Sequence, residues 1–576
     1  MVFGVILAGG IGSRMGNVEK PKQYLSVGGK PIILHTLEKF YVNSKFEKLI
    51  VLCPSQWINH TKNLVKKNFN DSSKIVVIEG GSTRNETIMN SIRYIEKEYG
   101  LDDDTIIVTH DSVRPFLTYR IIEDNIRYAQ EYGACDTVIP ASDTIVESAG
   151  HEIISNIPDR SIMYQGQTPQ SFKAKKLKEL YEGLTEEEKE ILTDACKIFV
   201  IKGQDVHLVE GEVFNIKITY PYDLRVAETL IKGEIMLNTV YRLVAPRRFE
   251  VAFNDIDLNS DKVVVRPTHL SICHADQRYY QGTRPADVMA KKLPMALIHE
   301  AIGDVVYDAT GEFKPGELVV MIPNTPVEKD DVIAENYLRS SKFRASGFDG
   351  FMQDNVALDR DRLVRLPQDI DRTVAAFTEI VSVSVHALRR FERFTHARKN
   401  VVGIWGDGNL GYITAVFFHY MHPDTKLVIF GTNEDKLSSF TFADETHLVW
   451  EIPEDLKVDH AIECVGGDAS QKAIDQMIDI IQPEGTIALL GVSEYAVPIN
   501  TRMVLEKGLH LYGSSRSGRA DFEKTVELYQ EYPEILGYLS NIVGAQVEVN
   551  SIADMTKAFE MDINKMMGKT IMIWNK

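Results

Sequence analysis

The 576-residue sequence lacks an excess of basic residues, a long apolar segment and any pair of closely spaced cysteines. Acidic residues outnumber basic ones by 82 to 64, and this balance argues against a broad basic surface for nucleic acid or anionic lipid. No apolar run approaches the roughly 20 residues of a membrane span, and the first residues lack the basic segment of a signal peptide. We therefore expect a cytoplasmic protein that binds neither nucleic acid nor membrane, and whose phosphate-binding cations are local.

The cysteines are few and scattered, which excludes a disulfide framework and fits a reducing compartment. They are Cys53, Cys135, Cys196, Cys273 and Cys464. At 44% hydrophobic residues, the chain can bury several cores, and its length predicts roughly three to four compact units.

The texture of the sequence changes twice along the chain. Short apolar strands alternate with amphipathic helices up to about residue 233, which predicts an α/β unit whose sheet is covered on both faces. A β-rich, turn-rich stretch follows to about residue 367, and strand and helix alternate again from 401 to about 513. We predict domains at 1–236, at 237–385 completed by 520–576, and at 386–519.

A glycine-rich turn follows the first apolar strand. Gly9, Gly10 and Gly12 lack a Cβ, so the backbone there can approach phosphate oxygens closely. Arg14 and Lys22 come next, and fixed cations stabilise the charge that develops when an α-phosphate is attacked. Each residue alone is weak evidence, but their combination predicts a nucleotidyl-transfer site.

Five ordered motifs in this first unit together resemble the cytidylyltransferases of the methylerythritol-phosphate and ribitol-phosphate families. They are residues 7–25 with 29–36, 80–87 (GGSTRNET), 110–116 (HDSVRPF), 167–170 (QTPQ) and 215–219 (NIKIT). The resemblance implies a nucleotidyltransferase fold with a Rossmann-like mixed sheet and CTP as the nucleotide. Gly9 and Thr87 replace an alanine and a serine common in the methylerythritol branch, which weakens the case for that acceptor.

The same resemblance assigns roles to residues of the first unit. It implies that Ala8, Gly9, Gly10 and Gly12 form the phosphate loop, that Gly81, Ser82 and Thr87 hold cytosine and ribose, and that the catalytic cations Arg14, Lys22 and Lys217 surround the α-phosphate. It places Asp111 and Arg114 at the sugar phosphate, with Asp111 also near Mg²⁺. Thr144 and Arg160 would lie on an arm that reaches a neighbouring subunit, so a homodimer is expected.

Farther along, a thiol, an imidazole and carboxylates occur in separated segments. Cys273, the pair His299-Glu300 and Glu379 offer the mixed ligands that a catalytic zinc takes while one position stays open for substrate. Taken alone, Cys273 would more often be a buried thiol and His299 a satisfied core histidine.

A second glycine motif, residues 406–411 (GDGNLG), follows an apolar strand and opens a predicted helix. Gly406, Gly408 and Gly411 match a dinucleotide-binding turn. The next strand ends in Gly431-Thr432-Asn433, where an acidic residue would normally hold the ribose 2′-hydroxyl. Since that carboxylate is missing, we predict NADPH rather than NADH.

Together these parts resemble medium-chain zinc-dependent alcohol dehydrogenases, which implies a β-rich GroES-like catalytic domain and a Rossmann cofactor domain. In the polyol branch the third zinc ligand is a glutamate, which Glu379 matches. No four-cysteine lobe occurs, so a single zinc is expected. Ala275 replaces a common proton-relay residue, so the proton would come from water or Glu300, and Asp276 would orient an imidazole.

The two halves fit consecutive reactions. Reduction of ribulose 5-phosphate with NADPH would give ribitol 5-phosphate, and CMP transfer from CTP would then give CDP-ribitol and pyrophosphate. The whole chain resembles the bifunctional ribulose 5-phosphate reductase/CDP-ribitol pyrophosphorylases of bacterial capsule synthesis. Two alternatives stay open: a methylerythritol-phosphate cytidylyltransferase fused to an unrelated polyol dehydrogenase, and a fusion with one non-catalytic nucleotide-binding half. The cation for the ketopentose phosphate is also open, with four candidates: Arg278, Arg284, Lys291 and Lys292.

Overall fold

The computed structural model of the chain describes residues 1–10, 20–148, 150–231, 236–258, 260–565 and 568–576. Gly12 and Arg14, which the sequence assigns to the first phosphate loop, lie outside the described residues.

The amino-terminal part forms a seven-stranded sheet flanked by helices, and a small two-stranded sheet of Ser26–Val27 with Lys30–Pro31. Its strands are β1 (Val2–Leu7), β2 (Ser26–Val27), β3 (Lys30–Pro31), β4 (Lys48–Cys53), β5 (Ile75–Glu79), β6 (Ile106–Asp111), β7 (Ala134–Pro140), β8 (Tyr164–Lys173) and β9 (His207–Glu210). Its helices are α1 (Ile32–Tyr41), α2 (Ile58–Asn68), α3 (Arg84–Tyr99), α4 (Tyr119–Tyr132), α5 (Ala174–Glu182), α6 (Glu186–Glu190), α7 (Cys196–Ile201) and α8 (Pro221–Leu230).

The seven-stranded sheet runs in the order β5-β4-β1-β6-β8-β7-β9. Strand β1 pairs in parallel with β4 and β6, whereas β8 runs antiparallel to β6 and β7. The sheet is therefore mixed, as the family resemblance implied. Apolar side chains cover both faces: Leu37 and Ile121 belong to one core, and Ile88 and Leu177 to the other. This two-sided burial explains why the strands read as continuous apolar runs.

The rest of the described chain contains a seven-stranded, a six-stranded, a three-stranded and a two-stranded sheet, together with their helices. Its strands are β10 (Met236–Ala245), β11 (Arg248–Ile256), β12 (Val263–Ser271), β13 (Met295–Ala296), β14 (Glu300–Asp308), β15 (Leu318–Met321), β16 (Asn324–Thr325), β17 (Lys342–Phe343), β18 (Val356–Leu358), β19 (Leu363–Arg365), β20 (Val401–Trp405), β21 (Lys426–Gly431), β22 (Glu445–Leu448), β23 (Val458–Glu463), β24 (Ile481–Leu489), β25 (His510–Gly513), β26 (Val543–Val549) and β27 (Lys569–Trp574). Its helices are α9 (His274–Tyr280), α10 (Ala286–Lys292), α11 (Arg372–Ala375), α12 (Thr378–Phe394), α13 (Asn409–Met421), α14 (Glu434–Leu437), α15 (Ser470–Ile480), α16 (Thr501–Lys507), α17 (Arg519–Glu531), α18 (Glu534–Ser540) and α19 (Ile552–Ile563).

The β-rich part is closed by the end of the chain. Strand β12 pairs antiparallel with β14 and with β27, so the carboxyl-terminal strands β26 and β27 join its seven-stranded sheet. A three-stranded sheet, β11-β10-β13, lies beside it.

The cofactor-type sheet is parallel throughout, with the order β22-β21-β20-β23-β24-β25. Its first strand, β20, lies between β21 and β23, just as β1 lies between β4 and β6 in the amino-terminal sheet. The connections that lead to the two neighbouring strands run to opposite sides of such a central strand. Their divergence opens a crevice at the carboxyl end of the strand. Both predicted glycine motifs lie at these switch points.

The two halves pack against each other through the hairpin of β10 and β11. The ring of Phe253 lies 5.9 Å from that of Phe116 and 5.5 Å from that of Phe214. Lys576 also bridges the halves, because its Nζ lies 2.7 Å from Glu212 Oε1. Within the described ranges, no helix is long and apolar enough to cross a membrane.

Candidate active sites

The first candidate site is a cavity of about 330 Å³ at the carboxyl ends of β1 and β6. It brings together eight of the residues predicted from the sequence: Gly9, Gly10, Lys22, Gly81, Ser82, Thr87, Asp111 and Lys217. Arg84 also lines it, although no role was predicted for this residue from the sequence.

A buried carboxylate surrounded by cations dominates this cavity. Asp111 ends β6, and its Oδ2 lies 2.8 Å from Lys217 Nζ and 3.8 Å from Arg114 Nε, while Arg84 pairs with Oδ1. Burial alone would raise the pKa of the Asp111 carboxyl, but Arg84, Lys217 and Arg114 hold it well below its ordinary value. Three cations thus face one anion, and the positive surplus suits a phosphate chain.

The nucleotide side of the cavity is built by the turn before α3. Thr87 Oγ1 accepts a hydrogen bond from Gly81 N at 2.9 Å and donates one to Thr83 O at 2.8 Å. A Cβ on Gly81 would lie 2.6 Å from Glu86 Cγ, so the tight turn requires glycine. Because these residues open a 16-residue helix, its N-terminal dipole also favours an anionic ligand here.

Arg84 is the first residue of α3, and its position inside the GGST-R motif is the signal that could have identified it. By contrast, the two glycines of the first loop have open space around them, since a Cβ on Gly9 or Gly10 would meet nothing within 4 Å. That space leaves room for a ligand.

Four of the predicted residues do not line the cavity. Ala8 is buried, and its carbonyl accepts a hydrogen bond from Gln23 Nε2 at 2.6 Å. Arg114 donates to Asn215 O at 2.7 Å and acts on the cavity through Asp111. Thr144 and Arg160 are exposed, and Arg160 donates to Ser142 O at 3.0 Å. The last two lie on an exposed segment outside the cavity.

The second candidate site gathers the predicted metal ligands. The ligand atoms of Cys273, His299 and Glu300 all lie within 4.8 Å of one another. Cys273 precedes α9, and Glu300 begins β14 directly after His299, so the sheet and the helix start bring the segments together. A thiol, an imidazole and a carboxylate are a donor set that zinc takes.

Two more carboxylates border this cluster. Asp276 Oδ2 lies 3.3 Å from His299 Nδ1, while its Oδ1 accepts from Ile298 N at 3.0 Å, an arrangement that orients the imidazole. Glu379 on α12 lies outside the three-residue group and is buried. Its burial, together with the neighbouring Glu300 carboxylate, raises its pKa to about 7, although His299 opposes this shift.

Glu300 has a partner that the sequence did not reveal. Lys569 Nζ lies 2.8 Å from each carboxylate oxygen of Glu300, and both side chains are buried. The ammonium compensates the charge of the Glu300 carboxylate within the cluster. Lys569 is more than 260 residues away in the chain, and no local motif marks it.

The second glycine motif forms the turn between β20 and α13. Gly406 has a φ of +129°, and a Cβ on Gly411 would lie 1.9 Å from Gly406 O, so both positions require glycine. Gly408 caps α13, which places free backbone N–H groups of a 13-residue helix at the crevice.

The residues at the end of β21 contact a carboxylate from the same motif. Asp407 Oδ2 accepts hydrogen bonds from Thr432 N at 2.7 Å and Asn433 N at 2.9 Å. A Cβ on Gly431 would lie 2.8 Å from this side chain. An acidic residue therefore does lie near the end of β21, although it comes from the glycine loop, and the sequence reasoning missed it.

An arginine also lies beside the metal cluster. The guanidinium carbon of Arg516 is 4.6 Å from the centre of the Phe343 ring, and that ring centre is 5.5 Å from the ring centre of His299. Burial lowers the pKa of Arg516, and the Glu379 carboxylate opposes this shift. Arg516 lies in the serine-rich stretch 514–518, which the sequence reasoning did not use.

The fold and both sites define a nucleotidyltransferase unit followed by a zinc-type dehydrogenase. Family models agree: residues 2–233 match 2-C-methyl-D-erythritol 4-phosphate cytidylyltransferase, 259–368 the alcohol dehydrogenase GroES-like domain, and 435–531 the zinc-binding dehydrogenase.

The chain is 57% identical over 339 residues to ribulose-5-phosphate reductase 1 of Staphylococcus aureus and to ribulose-5-phosphate reductase of Bacillus spizizenii, a match that covers 59% of this chain and 99% of each relative. The crystal structure of S. aureus TarJ in complex with NADPH is 52% identical, with a TM-score of 0.54 and the same coverage. L-idonate 5-dehydrogenase of Escherichia coli shares the fold at 20% identity and a TM-score of 0.52. The chain belongs to the ribulose-5-phosphate reductase family and carries a cytidylyltransferase domain in addition. The predicted family resemblance, fold class and enzymatic nature are confirmed.

Proposed function

We propose that the chain reduces D-ribulose 5-phosphate to D-ribitol 5-phosphate with NADPH, and then transfers CMP from CTP to give CDP-ribitol and pyrophosphate. The observation that carries the proposal is the 57% identity over nearly the whole length of ribulose-5-phosphate reductases, in a chain that also matches a cytidylyltransferase model. We place the transferase domain at 1–236, the catalytic dehydrogenase domain at 237–385 with 520–576, and the cofactor domain at 386–519.

In the reductase, Cys273 and His299 would hold a single zinc together with Glu300 or Glu379. When bound, zinc supplies a Lewis acid that polarises the substrate carbonyl. Asp276 keeps the His299 ring in place through the 3.3 Å contact with Nδ1. Because Ala275 has no hydroxyl, the proton would come from water or from Glu300.

NADPH would lie in the crevice at the carboxyl end of β20. Gly406, Gly408 and Gly411 let the diphosphate approach the start of α13, and Gly431, Thr432 and Asn433 would border the ribose 2′-phosphate. The NADPH complex of the 52% identical TarJ supports this choice of cofactor. Asp407 is bound to the backbone of Thr432 and Asn433, and these two donors reduce its repulsion of the phosphate.

In the transferase, CTP would occupy the 330 Å³ cavity with its base near Gly81, Ser82 and Thr87. Lys22 and Lys217, joined by Arg14, would stabilise the charge on the α-phosphate as the sugar phosphate attacks it. Asp111 and Arg114 would face the acceptor, and Arg84 is an additional cation at the same place. Since Asp111 already pairs with Arg84 and Lys217, Mg²⁺ would take most of its ligands from the triphosphate.

A coupled assay tests the sequence of reactions. The purified full chain receives ribulose 5-phosphate, NADPH and CTP, and each component is omitted in turn. We expect NADPH oxidation to need the ketopentose phosphate but not CTP, and pyrophosphate release to need all three. Oxidation without ketopentose phosphate, or failure to form CDP-ribitol, would contradict the proposal.

A second acceptor is favoured by one observation: residues 2–233 match the 2-C-methyl-D-erythritol 4-phosphate cytidylyltransferase family. Under this alternative, the transferase would use 2-C-methyl-D-erythritol 4-phosphate and would be unrelated to the reductase product. Comparing pyrophosphate release from CTP with each sugar phosphate separates the two, and we expect a higher kcat/KM with ribitol 5-phosphate.

We also infer a homodimer, in the cytoplasm, that serves capsule synthesis. The segment that carries Thr144 and Arg160 exposes several large apolar side chains, Val146, Ile153, Ile154, Ile157 and Ile162. Exposed apolar patches of this kind commonly mark interfaces. Light scattering of the purified chain is expected to give twice the monomer mass of 65.0 kDa, and Ile153→Asp should shift it towards the monomer.

A further inference from the structure

The connection between β25 and α17 holds a residue in an unusual backbone conformation. Arg516 has a φ of +59°, in the left-handed region that L-residues with long side chains rarely adopt. Backbone strain of this kind concentrates at ligand-binding sites, and here it positions the Arg516 side chain.

Hydrogen bonds on both sides fix the residue. Ser515 O accepts from Asn336 Nδ2 at 3.0 Å, and Ser517 Oγ lies 2.7 Å from Ser382 Oγ. Ser382 in turn donates to Glu379 O at 2.6 Å. The segment is thus tied to the helix that carries Glu379, and the Arg516 position is coupled to the metal-side wall of the site.

The guanidinium lies against that wall with its polar edge unpaired by any described carboxylate. The guanidinium stacks on the face of Phe343, whose ring also neighbours the His299 ring. An arginine stacked on an aromatic ring keeps its in-plane N–H donors available for a bidentate partner. The residue is solvent-accessible, so a dianionic phosphate could reach these donors.

The four cations considered from the sequence are placed differently. Arg278 forms an ion pair with Glu494, Arg284 stacks 4.8 Å above the Tyr279 ring, Lys292 donates to Ser346 Oγ at 2.6 Å, and Lys291 is exposed. Of these, Arg278 is already neutralised, and Lys291 faces solvent. Neither has the setting of Arg516, beside a residue that contacts the metal cluster.

We infer that Arg516 binds the phosphate group of the sugar-phosphate substrate while the carbonyl carbon lies at the Cys273–His299 cluster. In ribulose 5-phosphate, three carbon atoms and one ester oxygen separate the carbonyl carbon from the phosphorus atom. In the structure, the ring of Phe343 lies between the His299 ring and the Arg516 guanidinium. The substrate therefore needs to span about one aromatic ring to reach both groups. The inference rests on the proposed reductase function, and it makes Arg516 the residue that selects phosphorylated over free ketopentoses.

The test compares phosphorylated and free substrate in three full-length variants. In Arg516→Ala, we expect kcat/KM for ribulose 5-phosphate to fall roughly 10- to 100-fold, mostly through KM, the range typical of a lost hydrogen bond to a charged group. Turnover of free D-ribulose and KM for NADPH should stay within about twofold of the original chain by the same reasoning. Arg516→Lys should recover part of the loss, and Arg502→Ala, which changes an exposed arginine of the cofactor sheet's α16, should change nothing.

Two further measurements keep the outcomes distinct. Pyrophosphate release from CTP and ribitol 5-phosphate reports whether each variant is folded. Calorimetric binding of ribulose 5-phosphate to the zinc- and NADP⁺-loaded chain measures the phosphate contact without turnover. If the original chain binds the sugar phosphate through Arg516 but oxidises no NADPH, the reductase proposal fails and the phosphate site stands.

Other results would overturn the inference itself. An equal loss with free and phosphorylated ribulose would make Arg516 a general element of the pocket wall. A rise confined to KM for NADPH would assign it to the cofactor. Unchanged binding and unchanged KM for ribulose 5-phosphate in Arg516→Ala would remove the phosphate subsite while the reductase function remained.

Discussion

The two candidate sites occupy equivalent places in their sheets but differ in chemistry. In each, the first strand lies between neighbours whose connections diverge, and a glycine turn lies at its end. The transferase cavity groups three cations around Asp111 beneath a roomy loop. The dehydrogenase site groups a half-buried thiol with a buried imidazole and buried carboxylates, beside a tightly packed turn. In both units the topology provides the crevice, whereas the side chains around it determine which ligand it suits. The first crevice suits a polyanion, and the second suits a metal and a dinucleotide.

The largest expected effect concerns the metal cluster. Cys273→Ser removes the sulfur ligand. Changing a residue that only supports a metal ligand typically lowers metal affinity or activity by roughly 10- to 100-fold. We therefore expect a larger fall than this in both zinc content and NADPH oxidation. Metal analysis and the NADPH assay measure this. CMP transfer should be unchanged, and undiminished zinc would show that the proposed ligand set is wrong.

The matching change in the other crevice is Arg84→Ala. Because Arg84 pairs with the buried Asp111 inside the cavity, its loss should lower kcat for CMP transfer by about 10²- to 10³-fold, the effect of removing one fixed donor to a developing charge. NADPH oxidation should not change. The control is Arg93→Ala, an exposed arginine on the same helix, and equal rates for the two variants would contradict the role of Arg84.

Asp276→Asn tests the support of the imidazole. The amide keeps the shape of the side chain but removes the charge facing His299 Nδ1, so zinc affinity should weaken by about 10- to 100-fold. Competition with a coloured chelator gives the affinity. A variant that binds zinc as tightly as the original chain would show that Asp276 only accepts the backbone hydrogen bonds.

The two glycine turns should respond differently to an added methyl group. Gly411→Ala would push a Cβ against Gly406 O, so the cost is expected to be about 1–3 kcal/mol of stability or its equivalent in NADPH affinity. Gly9→Ala meets no atom of the chain within 4 Å, so its cost in stability should be smaller, below about 1 kcal/mol. Thermal unfolding and cofactor titration measure both, and similar losses would refute the contrast.

Much of the fold and of both sites could be predicted from the sequence because local patterns carry them. Continuous apolar strands between helices predicted the covered α/β sheets, and glycine turns with nearby cations predicted where phosphate would bind. Gly9, Gly10, Lys22 and Lys217 could be grouped from motif order alone. The residue-level roles stay predictions, and Arg14 and Gly12 lie outside the described residues.

Residue identity and short-range periodicity are enough to predict which chemical groups are present and which segments carry them. Which charges meet depends on the three-dimensional fold. Lys569 reaches Glu300 because strand β27 pairs with β12. Arg516 lies over the Phe343 ring because its own backbone adopts a left-handed conformation that turns the chain there. Such contacts join residues far apart in the chain, and their free energy depends on burial and on partners that no local pattern encodes.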